Sequence, residues 1–294
     1  MNKAAMAPSI IERAEFEAPV LNTDNITEIE LPLSIWERIR NITVVRRFSI
    51  LIVVALVWQM YAMYAKNPLM FPEFTDMIAA LWDASVNGDL LIMCWRSIQL
   101  LLIGYAIGVA IATIMTTVAV STRIGTDILA TLTTGFSPLP AIALLPLALL
   151  WFGLGPGSMI FILVHSVLWP LALNTHSGFL SVSHTLRMAG RNFGLSGYQY
   201  VGRILIPAAF PSILSGLKIG WAFAWRTLIA AELVFGAASA GGGLGWFIFE
   251  NRMELETAYV FAGLTAVVII GLVVEGVIFR TIEVHTVRKW GMQH

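Results

Sequence analysis

The sequence predicts an all-α membrane protein of about six transmembrane helices, and three observations carry that prediction. Of its 294 residues, 57% are hydrophobic and only 12% are charged, where a soluble domain carries about 25% charged residues. The mean hydropathy is +0.79. Six apolar stretches, at 48–65, 90–120, 128–151, 158–180, 213–235 and 259–282, come near or exceed the roughly 20 residues that a helix needs to cross a bilayer core. Alternating strand patterns are absent, which argues against a β-barrel. The net charge is zero, so the chain as a whole offers nothing to nucleic acid. A single cysteine, Cys94, rules out an internal disulfide and a cysteine-rich metal site.

Taken in order, the elements begin with an acidic tail. The first thirty residues hold Glu12, Glu15, Glu17, Asp24, Glu28 and Glu30. They show no apolar core and no cleavage site, so they read as a solvated segment and not as a signal peptide. Residues 33–48 carry Leu33, Ile35, Trp36, Ile39 and Val44 among their arginines. That pattern suits an amphipathic helix lying on the inner membrane surface, or a plain positive anchor for the first span. Residues 72–87 suit a short outer helix joining spans one and two.

Orientation follows from Lys and Arg near the span ends. Arg38, Arg40, Arg46 and Arg47 precede span one, and Arg123 separates spans two and three. Arg187, Arg191, Arg203 and Lys218 lie between spans four and five, and Arg288 and Lys289 follow span six. The segment between spans one and two instead holds Glu73, Asp76, Asp83 and Asp89. The alternation predicts both termini in the cytoplasm, with 1–47 and 286–294 as cytoplasmic tails flanking a membrane domain at 48–285. Arg252, set among Glu250, Glu254 and Glu256, is the exception.

Within the spans, Pro138, Pro140 and Pro146 either kink span three, which membrane helices tolerate where neighbours satisfy the backbone, or mark a gate. His165 and His176 lack a third ligand at metal spacing and read as packed neutral histidines. Trp151, Trp221, Trp225 and Trp246 read mainly as interfacial anchors. Three charges, Arg226, Glu232 and Glu275, fall inside spans, where an ionisable group is costly unless it is paired or faces water. Glu275 is near the inner end with Arg280 as an available partner. Arg226 is about 13 residues into span five, near mid-membrane at 1.5 Å per residue. Glu232 is six positions on, about 120° around the helix, too far round for a pair within one helix. Arg226 therefore pairs across helices or subunits, or faces a translocation cavity where its permanent charge attracts an anion. Glu232, Pro138 and Pro140 are the other candidates for that pathway.

The segment 181–211 is long and basic. Residues 187–193 predict a helix that ends at Gly194, a position where glycine takes a left-handed conformation cheaply. A second short helix starts near Ser196, a fitting N-cap. Two helices joined at Phe193-Gly194 make a rigid protrusion from the membrane.

This segment resembles the cytoplasmic motif of ABC importer permeases: Glu-Ala-Ala, three residues, Gly, nine residues, then Ile-x-Leu-Pro. Met188-Ala189-Gly190 stands at the Glu-Ala-Ala positions, Gly194 at the glycine, and Ile204-Leu205-Ile206-Pro207 at the end. Met188 replaces the Glu and Gly190 the second Ala, so no polar role for that Glu carries over. Ser137-Pro138-Leu139-Pro140, Leu145-Pro146, 151–155, 228–233 and Gly243-Leu244-Gly245-Trp246 are similar to permeases for nitrate, sulfonate, taurine and bicarbonate. The resemblance covers about 48–285.

The resemblance implies a type I ABC importer permease, a transport subunit and not an enzyme, in the bacterial inner membrane. It implies two copies of an ATP-binding subunit, a periplasmic or lipid-anchored substrate-binding protein and a second permease copy. Met188, Ala189, Gly190, Phe193, Gly194, Leu195, Ser196 and Pro207 would then dock on the ATPase. ATP and Mg sit on that partner, and no cofactor or metal is expected on this chain. Gly243 and Gly245 would lie in an outer loop that closes the pore, or in a plain flexible turn; the run 241–245 lacks the Gly-Lys-Ser/Thr ending of a phosphate loop. The rivals are an ion-coupled secondary transporter, which calls for inverted repeats, and a membrane-embedded enzyme, which calls for a nucleophile-base or metal constellation. Neither set is evident.

Overall fold

The computed structural model describes residues 43–120, 122–235 and 242–289. The acidic tail and residues 33–42, expected as part of a surface helix or a positive anchor, lie outside the described residues, as do Gly241 and 290–294. By internal packing the chain divides at Val53. The described residues of the first unit are the opening turns of helix α1 (Thr43–Ala65), with Phe48, Leu51 and Ile52 exposed as lipid-facing side chains are.

In the second unit the rest of α1 leads to α2 (Phe74–Val86). Trp58 Nε1 donates to the Pro72 carbonyl at 3.0 Å, and Gln59 Nε2 donates to Glu73 at 2.7 Å. The long helix α3 (Leu90–Val120) follows. Thr122 caps α4 (Arg123–Phe136) by accepting from the Gly125 N–H at 2.9 Å. After a 3-10 turn (Ala141–Leu144) come α5 (Leu145–Phe152) and α6 (Pro156–Ser181). Next are α7 (His184–Asn192), α8 (Gly197–Tyr200) and α9 (Ile206–Phe235). The chain closes with α10 (Leu244–Met253), α11 (Thr257–Val273) and α12 (Arg280–Glu283).

Helix α6 is the centre, packed along α3 on one side and α9 on the other. Lipid tails are as apolar as leucine, so close van der Waals packing between small residues holds membrane helices together. A Cβ on Gly104 or Gly108 of α3 would sit 2.6 Å from Leu163 Cβ or 2.8 Å from Val167 Cβ of α6. One on Gly216 of α9 would sit 2.9 Å from Asn174 Cβ. Tyr105 OH donates to the Leu217 carbonyl at 2.9 Å, joining α3 to α9, and Trp225 Nε1 donates to the Val267 carbonyl at 3.3 Å, joining α9 to α11.

The structure corrects three expected boundaries. The third span is not one helix: α4 and the Ala141–Phe152 segment meet at an angle of 87°. Pro138 and Pro140 stand at the break: neither offers an N–H to carry the helix on, and while Ser137 is still helical (φ −62°, ψ −37°) the chain is extended at Pro140 (ψ 124°). Second, the far arm of the 181–211 segment is not a separate short helix. From α8 the chain passes through a π-turn (Val201–Leu205) straight into α9. The Ile206 N–H donates five residues back to Val201, so the ladder is already re-registering where Pro207 lacks a donor. Third, the sixth span continues as helix through two π-turns to Arg288. Lys218 holds Glu283 there, and Val287 is buried with Leu214 and Phe279, so 286–288 continue the helix.

Candidate functional site

The break at 137–140 opens a cavity of about 410 Å³ between α6 and α9. Its walls are Pro138 to Ile142, a stripe of α6 (His165, Ser166, Trp169, Pro170) and a stripe of α9 (Phe223, Arg226, Thr227, Ala230). Residues 223, 226, 227 and 230 recur at helical spacing and so share one face. Three of the residues singled out in the sequence, Pro138, Pro140 and Arg226, thus meet in one space. Arg226 is exposed, with its guanidinium 5.9 Å from the Phe223 ring centroid. Among the described residues no carboxylate lies within ion-pair distance of it. Arg226 also borders a second groove of about 460 Å³ shared with Lys218 and Glu275. Glu275 makes no ion pair with Arg280 among the described residues.

The sequence reading missed the α6 wall. Ser166 and Thr227 hydroxyls lie 3.0 Å apart across the helix pair. His165 Nε2 and Trp169 Nε1 are buried with no hydrogen-bond partner, an uncommon condition for a polar atom out of water. The available signal was the run of polar and aromatic residues at 165, 166 and 169, one stripe of a helix; His176 is also buried but does not line the cavity.

Glu232 does not lie on that cavity. It is only 2% exposed, and it caps the start of α10 from α9. Its Oε2 accepts from the Gly245 N–H at 2.8 Å, and Ser97 Oγ donates to Oε1 at 2.7 Å. Ser97 in turn accepts from the Leu244 N–H at 2.8 Å. A carboxyl group at a helix N-terminus satisfies amides that have no partner within the helix. Gly243 and Gly245 are correspondingly buried at a helix start and not in an open loop. A Cβ on Gly243 would collide with Glu232 Oε1, and one on Gly245 would meet the Ile229 carbonyl at 2.7 Å.

The turn between α7 and α8 has the expected form. Ser183 caps α7, accepting from the Leu186 N–H at 3.3 Å. At the other end Gly194 adopts φ +73°, its N–H donating to Arg191 at 2.9 Å while the Leu195 N–H donates to Gly190 at 3.1 Å. This pair of bonds closes the helix as a Schellman motif. Gly190 is buried, and a Cβ there would press on Ile204 at 3.0 Å and Tyr200 at 3.2 Å, so an alanine at that position needs both side chains to shift. Arg187 donates to the Phe179 and Val182 carbonyls, fixing α7 to the end of α6. Phe193 at the tip is 83% exposed, Met188 and Ser196 are exposed, and Ala189, Leu195 and Pro207 are half-buried.

The family model described as a binding-protein-dependent transport system inner membrane component matches residues 104–281, from α3 into α12. The chain is 31% identical over 235 residues to an ABC transporter permease protein of Methanocaldococcus jannaschii, covering 79% of this chain and 87% of that one. It is 35% identical over 140 residues to the taurine transport system permease protein of Escherichia coli, covering 48% and 50%. It is 34% identical over 137 residues to the nitrate import permease protein of Synechocystis, covering 47% and 48%.

Proposed function

This chain belongs to the family of binding-protein-dependent transport system inner membrane components, and we propose that it carries a small oxyanion across the inner membrane on a path past Arg226. The observation that carries this reading is an exposed arginine in a membrane span, on the wall of a cavity, with no carboxylate within ion-pair distance among the described residues. Such a charge is retained where it faces water or meets an opposite charge, and an anionic substrate supplies one. In the working transporter a second copy of the chain completes the pore, and a substrate-binding protein delivers the anion from outside. ATP with Mg is hydrolysed by two copies of a separate subunit, docked at Phe193, Gly194 and Leu195 on the cytoplasmic side. Their motion, passed through α7 and the continuous α8–α9 rod, opens the pore outward; hydrolysis resets it.

Arg226→Gln keeps hydrogen-bonding capacity and removes the charge. In vesicles reconstituted with the ATP-binding and substrate-binding partners, anion uptake should fall about tenfold or more, since a charged hydrogen bond contributes about 1.5–3 kcal/mol. Assembly and ATP hydrolysis should persist, and Arg226→Lys should recover part of the uptake. Uptake unchanged in Arg226→Gln would remove the anion path from this residue.

The same reading places both termini in the cytoplasm. In a Cys94→Ala background, single cysteines at Asp83 and Glu254, both exposed, should react with an impermeant thiol reagent added outside. A cysteine at Ser196 should react only after the membrane is opened. The reverse pattern would invert the topology. In the outward segment Asp83 is held by Asn87 at 2.9 Å and by Tyr259 OH at 2.8 Å, and these bonds keep its carboxyl below the usual carboxylate range.

A further inference from the structure

We propose that the groove between α9 and α11 is the cytoplasmic leg of the anion path, a water-filled vestibule in which Lys218 receives the anion from Arg226. The proposal rests on the reading of Arg226 as the anion's contact and of α7 as cytoplasmic, and it adds the way out.

Three observations lead there. The first is continuity. Among the described residues, Arg226 alone borders both the cavity beside the 137–140 break and the groove of about 460 Å³. Along α9 the groove is lined by Arg226, Ala222 and Lys218, positions four apart that share one helix face. Lys218 is eight residues nearer the start of α9, about 12 Å at 1.5 Å per residue, towards the end that joins the α7–α8 turn. The second is water. Lys218, Arg226 and Glu275 all line this groove, and ionisable groups within spans are kept where they pair or meet water. At Gly271 no side chain fills the groove, and an added Cβ would come no closer than 3.8 Å to another element, at Trp225 Nε1. The third is a gradient in how far each cation is already satisfied. Among the described residues Arg226 has no carboxylate within ion-pair distance, whereas Lys218 is held by Glu283, which also lies 3.9 Å from Arg288. An anion is therefore held firmly at Arg226 and weakly at Lys218, where it competes with Glu283. The exposed Glu275 repels it from the same groove. Passage needs binding favourable enough to enter and weak enough to leave, and this order suits release into the cytoplasm.

The test places Ala222→Cys in a Cys94→Ala background, in the transporter reconstituted with its partners in inside-out vesicles. Two thiol probes are added at the cytoplasmic face: the anion 2-sulfonatoethyl methanethiosulfonate and the cation 2-(trimethylammonium)ethyl methanethiosulfonate. Relative to their rates with 2-mercaptoethanol, the anion should react at least about threefold faster than the cation, the effect of a unit charge about 6 Å away in water. Lys218→Gln should lower that ratio about threefold or more. Glu283→Gln, which frees Lys218, should raise it, and a merely structural ion pair does not give these opposite signs. ATP with vanadate, which arrests the cycle away from inward release, should slow both probes about tenfold. No reaction with either probe overturns the vestibule and shows a groove covered by lipid or by a second copy of the chain. A cation that reacts as fast as the anion overturns anion passage here. A ratio unmoved by both charge changes removes Lys218 from the path, and rates unmoved by ATP with vanadate put the groove outside it. None of these outcomes touches the uptake test on Arg226. Uptake unchanged in Arg226→Gln would instead end the handover from Arg226, while the probe ratio still reports the groove.

Discussion

Gly194→Val is expected to cut transport at least about tenfold while leaving the chain folded and inserted. Gly194 sits at φ +73°, and no atom lies within 4 Å of where its Cβ would be, so the substitution meets no packing clash. Its whole effect is on the backbone. A left-handed conformation costs an L-residue roughly 1–2 kcal/mol, and a β-branched residue is a genuine outlier there. The turn relieves that strain by giving up the Gly190 and Arg191 bonds that close α7, which swings the exposed Phe193 away from its present direction. Because α8 runs on into α9, a misplaced turn would, with the ATP-binding subunit docked at Phe193 to Leu195 as proposed, break the link to the helix that carries Arg226. In the reconstituted transporter, uptake should fall at least about tenfold, and ATP hydrolysis should stop responding to the substrate-binding protein. Gly194→Asn, which tolerates this conformation, should retain most of both. Full stimulation by binding protein in Gly194→Val would show that this turn is not the coupling contact.

That turn was legible in the sequence because everything that makes it is local. A glycine stands after a basic helical run, with a hydroxyl residue two positions on, and the bonds that form it reach back three and five residues. The long spans were legible for a similar reason, since apolar length alone announces α3, α6 and α9. Pro138 and Pro140 were visible too, but the same two prolines suit a slight kink or a full break. The 87° angle is decided by where α4 and α5 find neighbours. The cavity was half legible. Pro138, Pro140 and Arg226 stood out individually, while the wall of His165, Ser166 and Trp169 emerges only once α6 lies beside α9. The small residues that bring these helices close, Gly104 and Gly108 on α3 and Gly216 and Gly220 on α9, are spaced four apart, a membrane packing signature that the apolar runs conceal. Glu232 was the least legible. Its partner Ser97 lies 135 positions away, and no pattern within one span announces such a pairing.

Glu232→Ala is expected to destabilise the fold severely, and this outcome separates a clamp from a translocation residue. The carboxyl group accepts from the Gly245 N–H and from Ser97 Oγ, and Ser97 accepts from the Leu244 N–H. Three elements, α3, α9 and α10, therefore meet at one buried side chain. Alanine leaves the Gly245 N–H and the Ser97 hydroxyl without an acceptor, at about 1–3 kcal/mol each. It also leaves a void the size of the lost side chain, for which large-to-small changes at buried sites give about 2–5 kcal/mol. Glu232→Gln keeps the shape, and a carbonyl oxygen in the place of Oε2 can accept from both the Gly245 N–H at 2.8 Å and Ser97 Oγ at 2.9 Å, so the loss should be well below that of alanine and reflect the missing charge. Gly243→Ala attacks the same contact from the other side, because its methyl group has no room beside Glu232 and Ser97. The ordering should appear in the thermal midpoint and the monodisperse yield of the purified protein, with Glu232→Ala and Gly243→Ala lowest and Glu232→Gln between them and the unaltered chain. Arg226→Gln, whose side chain is exposed, should leave both readouts near their starting values. A Glu232→Ala protein with an unchanged midpoint and impaired uptake would return Glu232 to the translocation path and end its assignment as the clamp of α10.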